Sequence, residues 1–399
     1  MTPISLARKI WRRLPLDGAG VLSRGPLHGV GARNFWKRVP AWVRPAAILA
    51  SRILWLVSCP LKAVAETRNE YARSRDVWAS IWIGWATGKT PHATVLHRAL
   101  ARDDRTRLRL ADEIQDNRQG ILTLQGLGTK EDIALANDKL ALTRQLECKG
   151  LPVVKIETVV GRGEVPDLST APWTGPEKLL VKPRRGSHAA GLFSVRPLPG
   201  GRFSVSGGSP IDAAALAQLV AAAAKWDDLL VQPFIRPSAD TRDLSPQAPA
   251  VIRAFTMREK PGRRASVASA FLKVLSPARD TPDMGTVETL PVVPIALETG
   301  MLEQGILFEE PRKRVSRLPW SDTPLCGLVL PTWPQVREMV ICASAVLPDT
   351  PVIGWDVLLG PQGPLILEAN TGISILRAKL WHFEHGLRSP LDTVLEGWA

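Results

Sequence analysis

The segment "GWDVLLGPQGPLILEAN", residues 354–370, most narrows what this chain can fold into. Two apolar runs of strand length flank a Gly/Pro turn, the pattern of a buried β-hairpin. Folded about Gln362, the hairpin sets Asp356 opposite Glu368, and Asn370 points to the same face because strand side chains alternate. Like charges placed directly opposite on a sheet repel, by about 3 kcal/mol at ~5 Å and an effective dielectric of ~20. Something must compensate, and a hard cation, which takes carboxylate and amide oxygens, is the candidate. The plainer alternative is an ordinary hairpin whose acidic face is solvated.

At 399 residues the chain has room for two or three domains, and 45% hydrophobic with 22% charged residues is the texture of a soluble globular protein. The formal charge of +13 favours an anionic partner, whether nucleotide, nucleic acid, membrane surface or acidic glycan. Cys59, Cys148, Cys326 and Cys342 are scattered without metal-ligand spacing, so a reducing cytoplasmic compartment is expected. His382 and His385 could share a helix face, yet no third ligand stands near them. No signal peptide is expected, because Arg12 and Arg13 interrupt the apolar core of "ISLARKIWRRLPL". The most apolar window, "AAILASRILWLVSC" at 46–59, has Arg52 at its centre and meets Pro60, which reads as too short and too charged to span a bilayer. Trp11, Trp36, Trp42 and Trp55 interleave with Arg and Lys there, as in helices that lie in a membrane interface. The competing expectation is that the same region packs on the rest of the protein with its Trp residues inside.

Helical patterns dominate the first part of the chain, including 65–88 and 94–120, followed by a short helix within 130–150. From about 151 the texture turns to short strands at 152–161, 178–183, 191–197, 202–207 and 229–235, with a helix at 210–226. Further strands are expected at 250–259, 265–275, 352–360 and 364–370. Early helices and later antiparallel strands predict an α+β chain. The expected units are a basic, Trp-containing helical extension (1–120), a first lobe (121–235) and a second lobe (236–399).

Five pieces carry chemistry together. Lys139 sits near the start of a helix in "NDKLALTRQLECKGLPVV". Lys182 ends a strand in "KLLVKPRRGSHAAGLFSV", and the loop after it (Arg184, Arg185, Gly186, Ser187, His188, Gly191) can fold over phosphates with backbone N–H groups. The third is "LLVQPFI", whose Gln232, Pro233, Phe234 and Ile235 could present backbone to an adenine edge. Arg253 in "VIRAFTM" is the fourth, and the acidic hairpin is the fifth. Each alone has an ordinary structural explanation; their order and spacing is the signal.

Over about 125–375 these pieces resemble the ATP-grasp superfamily, in which two α+β lobes hold ATP between them. The resemblance implies that Lys139 and Lys182 meet phosphates, that "PRRGSHAAG" is the lid, that "VQPFI" is the adenine hinge, and that Asp356, Glu368 and Asn370 hold Mg²⁺. "VIRAFTM", "ALETGMLEQG", "GLVLPTW" and the hairpin are similar to the sugar-transfer-associated ATP-grasp proteins, a branch found with polysaccharide biosynthesis. This chain departs from that branch at 276–290, where "SPARDTPDMGTVETL" replaces an Asn/Gly-rich loop.

The resemblance implies a Mg²⁺- and ATP-dependent, ADP-forming ligase. It would activate a small or glycan-linked carboxylate as an acyl phosphate, with Arg253 and Lys182 catalytic and Asp240 a candidate ribose contact. The alternatives are a phosphotransferase acting on a hydroxyl, or an ATP-binding assembly protein at a membrane surface. Nucleic acid is not an expected partner, since no recognition module accompanies the charge. The expected location is cytoplasmic, with room for peripheral contact with anionic lipid at the inner membrane face.

Overall fold

The computed structural model describes residues 40–66, 77–78, 81–82, 84–85, 126–175, 177–186, 191–275, 292–306, 314–372, 394 and 397–398. The helix expected at 94–120, most of that at 65–88, Ser187, His188, the whole 276–290 loop, His382 and His385 lie outside the described residues.

Helix α1 (Arg44–Glu66) contradicts the expectation that the apolar window stops at Pro60, for it runs 23 residues straight through that proline. A proline inside a helix removes one hydrogen bond and leaves the carbonyl four residues earlier without its donor. Here that carbonyl belongs to Leu56, and it accepts the indole N–H of Trp85 at 2.9 Å instead. Trp55 returns the favour, donating its own indole N–H to the Gly84 carbonyl at 2.7 Å. The two buried residues of α1, Trp55 and Cys59, pack beside Trp85.

The smaller sheet has five strands in the order β1-β5-β2-β3-β4, all antiparallel: β1 (Thr158–Val160), β2 (Leu179–Pro183), β3 (Phe193–Leu198), β4 (Arg202–Val205) and β5 (Leu229–Pro233). Its core is Leu179, Val181, Val195 and Val231, with Leu216 and Val220 of helix α4 (Ala213–Ala223), which Asp212 caps through the Ala215 N–H at 2.8 Å. Strict alternation along β2 puts Leu179 and Val181 inside and leaves Lys182 on the other face.

The larger sheet has seven antiparallel strands in the order β10-β9-β8-β7-β6-β11-β12. These are β6 (Val251–Met257), β7 (Ser266–Lys273), β8 (Val292–Pro294), β9 (Gly305–Ile306), β10 (Arg314–Val315), β11 (Val352–Gly360) and β12 (Gly363–Asn370). One face packs Ile252, Ala254, Ile353, Trp355 and Val357 against Val336, Met339, Val340 and Ala343 of helix α5 (Trp333–Ala343). The other face carries the charged groups described below.

Helices α2 (Lys130–Asn137) and α3 (Lys139–Cys148) replace the single short helix expected within 130–150. Asp138 divides them: its backbone N–H caps the end of α2, and its carboxylate accepts the Ala141 N–H at 3.1 Å to start α3. Ala136, Leu142 and Leu146 of these helices lie in the core of the larger sheet, whereas the sequence grouped them with the smaller one. Their short apolar stripes do not specify which sheet covers them.

The chain joins the two sheets by backbone as well as by side chains. The Ile366 N–H of β12 donates to Pro152 at 2.9 Å, Val154 donates to Ile366 at 3.1 Å, and Glu157 donates to Val231 of β5 at 2.8 Å. The exit from β5 crosses again, with the Ser238 N–H reaching the Leu359 carbonyl at 3.1 Å.

A second staple fixes the entrance to β11. Buried Arg258 donates to the carbonyls of Arg263 (2.7 Å), Ser344 (2.8 Å), Thr350 (3.0 Å) and Leu347 (3.1 Å). Beside it, Asp132 of α2 accepts the Asp349 N–H at 2.8 Å and the Thr350 hydroxyl at 3.2 Å. Replacing Arg258 with Met leaves buried carbonyls without donors, so Arg258→Met is expected to cost about 3 kcal/mol. The shift of the urea midpoint measures it; a loss below ~1 kcal/mol would show that water takes over the arginine's bonds.

Candidate functional site

The hairpin expected from the sequence forms, with a different turn. The loop is Pro361–Gln362, between the paired Gly360 and Gly363, and Gly363 takes a φ of +120° that suits glycine. A turn centred half a residue before Gln362 would pair Asp356 with Leu367 and send Glu368 to the other face. The register shift beyond Asp356 corrects this: Val357 pairs with Ile366 and Asp356 with Glu368, so Leu367 is skipped as a bulge. Gly354 pairs with Asn370, so Asp356, Glu368 and Asn370 share one face, as the sequence predicts.

The compensating charge comes from the protein. On the other side of β11, Asp356 is in register with Arg253 of β6. The Arg253 guanidinium grips both carboxylate oxygens of Asp356, through Nε to Oδ1 and a terminal nitrogen to Oδ2. Lys273, at the end of β7, adds its ammonium to Oδ1 at 3.0 Å. Burial pushes the Asp356 carboxyl upward, but Arg253 and Lys273 outweigh it and hold the group well below the usual carboxylate range. The sequence offered a hard cation as the compensating charge and, as the ordinary reading of Arg253, an ion pair with Asp356 or Glu368; the structure has that ion pair, on Asp356. Neither Lys273 nor its pairing was foreseen, although a lysine inside the otherwise apolar "ASAFLKVL" was the available signal.

Lys182 approaches this face from the smaller sheet. Burial depresses its ammonium, Glu368 and Asp356 pull it back up, Lys139 pushes it down, and the result is about 8. Lys273 is likewise depressed by burial to about 8, against the upward pull of Asp356. Lys182, Arg253 and Lys273 thus share the field of Asp356 and Glu368, and Lys139 adds its charge beside Lys182, an excess of positive charge suited to a polyanion.

The root of the loop is anchored by acids. Lys139 donates to the Gly186 carbonyl at 2.7 Å. Arg184, expected at phosphate, is instead clamped on Asp138 by two bonds (2.6 and 2.7 Å) and on Asp228 at 3.0 Å. Its three partner oxygens leave the guanidinium committed to holding the loop. Arg185 donates its backbone N–H to Asp227 at 2.6 Å and its guanidinium to Asp227 and Asp138 at 3.3 Å. Asp138, Asp227 and Asp228 were not anticipated; acids at a helix start and before a strand were the only signal. The chain is described again from Gly191, whose φ is +75°.

Gln232 is buried, and its side-chain amide donates to the Val154 carbonyl at 2.9 Å, so that side chain ties the inter-sheet connector to β5. Pro233 is still within the sheet, opposite Leu179, and the Phe234 N–H is taken by the Lys178 carbonyl at 2.8 Å, with the Lys178 ammonium 4.1 Å above the Phe234 ring. Ile235 lies against Gly360, where an added Cβ would meet it at 3.0 Å. Asp240 is exposed on the single turn Ala239–Thr241 and makes no hydrogen bond or ion pair with the charged face among the described residues. A surface depression of about 480 Å³ lined by Arg264, Glu298, Trp333, Arg337 and Glu338 involves α5 on the far side of the sheet. Arg264 pairs with Glu338 there at 2.6 Å, so it is a separate feature.

No three His, Cys, Asp or Glu side chains come together as metal ligands among the described residues. Glu368 and Asn370, two oxygen-bearing side chains, nevertheless stand side by side, the Asn370 amide nitrogen donating to a Glu368 carboxylate oxygen at 3.4 Å. One or two such ligands completed by phosphate oxygens is the usual coordination of Mg²⁺, so the donor set fits. Asp356 fits it less well while Arg253 and Lys273 occupy its oxygens.

A family model described as sugar-transfer associated ATP-grasp matches residues 126–393. Among solved structures, the chain is similar to a D-cycloserine synthetase at 13% identity and a TM-score of 0.39, covering 70% of this chain and 77% of that one. It is similar to a D-alanine–D-alanine ligase from Bacillus anthracis, complexed with ATP, at 13% identity and a TM-score of 0.40 (71% and 73% covered). An L-amino acid ligase from Bacillus licheniformis follows at 14% identity and 0.38 (67% and 48% covered). No curated protein matches the chain.

Removing the central carboxylate strands two buried cations. Asp356→Asn is expected to destabilise the fold by about 3–5 kcal/mol, as in other broken buried ion pairs, while Glu368→Gln costs less than ~1 kcal/mol. Urea unfolding of both variants checks this, and equal losses would show that Asp356 is not the anchor.

Proposed function

The chain belongs to the sugar-transfer-associated ATP-grasp family, and from that premise we propose that it is an ATP-dependent ligase that activates a carboxylate. The observation that supports this reading most is the gathering of Lys182, Arg253 and Lys273 from two sheets around Asp356 and Glu368, with Lys139 of α3 close enough to Lys182 to act on its charge. A triphosphate supplies the negative charge that this cluster lacks.

In this reading Lys182 from the smaller sheet and Lys139 from the start of α3 bind phosphate oxygens, and Asp138, Asp227 and Asp228 fix the Arg184–Gly186 segment next to Lys139. Glu368 and Asn370 would hold Mg²⁺, which when bound neutralises charge on the β- and γ-phosphates. Asp356 acts as the positioning partner of Arg253 and Lys273, holding both cations where the γ-phosphate enters. The carboxylate oxygen of the substrate attacks the γ-phosphorus, the bond to the β-phosphate oxygen breaks, and ADP leaves. An amine or other nucleophile then attacks the acyl carbon, loses its proton and expels inorganic phosphate. Arg253 is suited to both steps, since its planar fork matches a carboxylate or an acyl phosphate. The family's description as sugar-transfer associated supports a carbohydrate-linked carboxylate as the substrate class.

Trapping with hydroxylamine tests the reading. With ATP, Mg²⁺ and a panel of sugar acids, the protein is expected to form hydroxamate and ADP in equal amounts, and Lys182→Met to cut the rate about 100-fold. ADP accompanied by a phosphoester in the ³¹P spectrum would replace the ligase with a phosphotransferase. Absence of ADP across the panel would count against both.

A further inference from the structure

The charge of this chain is concentrated where the ligand cleft is not. Residues 1–62 contain eleven Lys and Arg against Asp17 alone, so less than one sixth of the sequence carries +10 of the net +13. All of helix α1 but its last four residues, which end in Glu66, lies within that stretch, and its large side chains are distributed in an unusual way. Trp55 and Cys59 face inward against Trp85. Leu49, Ile53, Val57 and Leu61, spaced four apart, form a stripe on the opposite side with Val64, and all are exposed, Val57 by 67%. Between Arg52 and Lys62 no charged residue interrupts the stripe, and Arg52, three residues before Trp55, lies toward the packed flank. The residues that cover Trp55 repeat the pattern: Ile81 is buried, while Trp78 and Trp82, also four apart, are 63% and 66% exposed.

We propose that α1 forms a docking surface for an anionic lipid bilayer, lying in the plane of the interface with Leu49, Ile53, Val57, Leu61 and Val64 buried among the acyl chains. Trp42, 86% exposed just before α1 begins, suits the boundary between headgroups and hydrocarbon, where an indole ring buries its body and keeps its N–H near water. The surrounding basic residues meet the negative surface potential of such a membrane. Charge selects this occupant over the others. A second copy would set +10 against +10, and nucleic acid would match the charge while leaving the apolar stripe in water. By length and composition α1 could also cross a bilayer. Crossing would, however, carry Arg52 into the hydrocarbon, whereas the interfacial pose keeps it at the headgroups. This proposal is independent of the reaction proposed above.

Flotation of the full-length protein with vesicles tests it. Vesicles of phosphatidylcholine with roughly one third phosphatidylglycerol should carry the protein at about 0.1 M salt, with at least ~10-fold less bound to pure phosphatidylcholine or at about 1 M salt. Ile53→Glu with Val57→Glu, at positions exposed in the folded chain, should abolish flotation while leaving the thermal melt unchanged. Binding that ignores lipid charge and salt would show a membrane-spanning segment and overturn the interfacial pose. Failure to float on any vesicle, or a stable oligomer broken by the same double substitution, would overturn lipid as the occupant.

Discussion

Asp356 is the carboxylate on which the larger sheet and its chemistry both depend. It stands on β11 between Arg253 in register on β6 and Glu368 in register on β12, with Lys273 reaching over from β7. Four adjacent strands therefore meet through one side chain that is itself buried. In a low-dielectric setting such a charge is tolerated only when paired and hydrogen-bonded, and here each of its oxygens has a cationic donor. The pairing also fixes where Arg253 and Lys273 point, which a flexible lysine and a long arginine would not do alone.

This arrangement depends on a detail of backbone geometry. Without the bulge at Leu367, Glu368 would face the α5 side among Trp355 and Val357, and the charged face would lose its second carboxylate. The bulge also allows a tight two-residue turn, so the hairpin obtains both a short loop and the register its charges need. The smaller sheet contributes by a different route. Its Lys182 comes into the field of Glu368 because the chain between 152 and 157 bonds to β12 and then to β5, and buried Gln232 fastens that crossing through Val154.

Much of this was legible from the chain. Apolar runs of strand length in "KLLVKP", "AVIRAFTM" and "VIGWDVLLG" gave strands within a residue or two of those observed, and strand geometry sends their successive side chains to opposite faces, both of which are buried along β11. The joint position of Asp356, Glu368 and Asn370 was legible for the same reason. What was not legible depends on partners distant in sequence. Arg184 reads as a phosphate ligand until Asp138 and Asp228, 46 and 44 residues away, are seen to hold it. Gln232 reads only as a polar residue at a strand end until Val154, 78 residues away, is seen to take its amide. Helix α5 was missed although Val336, Met339, Val340 and Ala343 fall at helical spacing behind Pro334 in the first turn. Pro60 misled in the other direction, since only the Trp85 indole shows why the helix survives it.

Two ammonium groups poised near neutrality give the cleft a titration that an ordinary lysine would not have. Lys182 and Lys273 each lose their proton at about 8, and a polyanion between them favours the charged form. Binding should therefore take up protons as the pH approaches that value and weaken above it. The most direct measurement is calorimetric titration of ATP with Mg²⁺ at about pH 7 and about pH 9, in two buffers of different ionisation enthalpy. The account predicts tighter binding at the lower pH, with proton uptake visible as a buffer-dependent heat between the two. Failure to bind nucleotide at either pH, or affinity that is unchanged across this range without proton uptake, would contradict it.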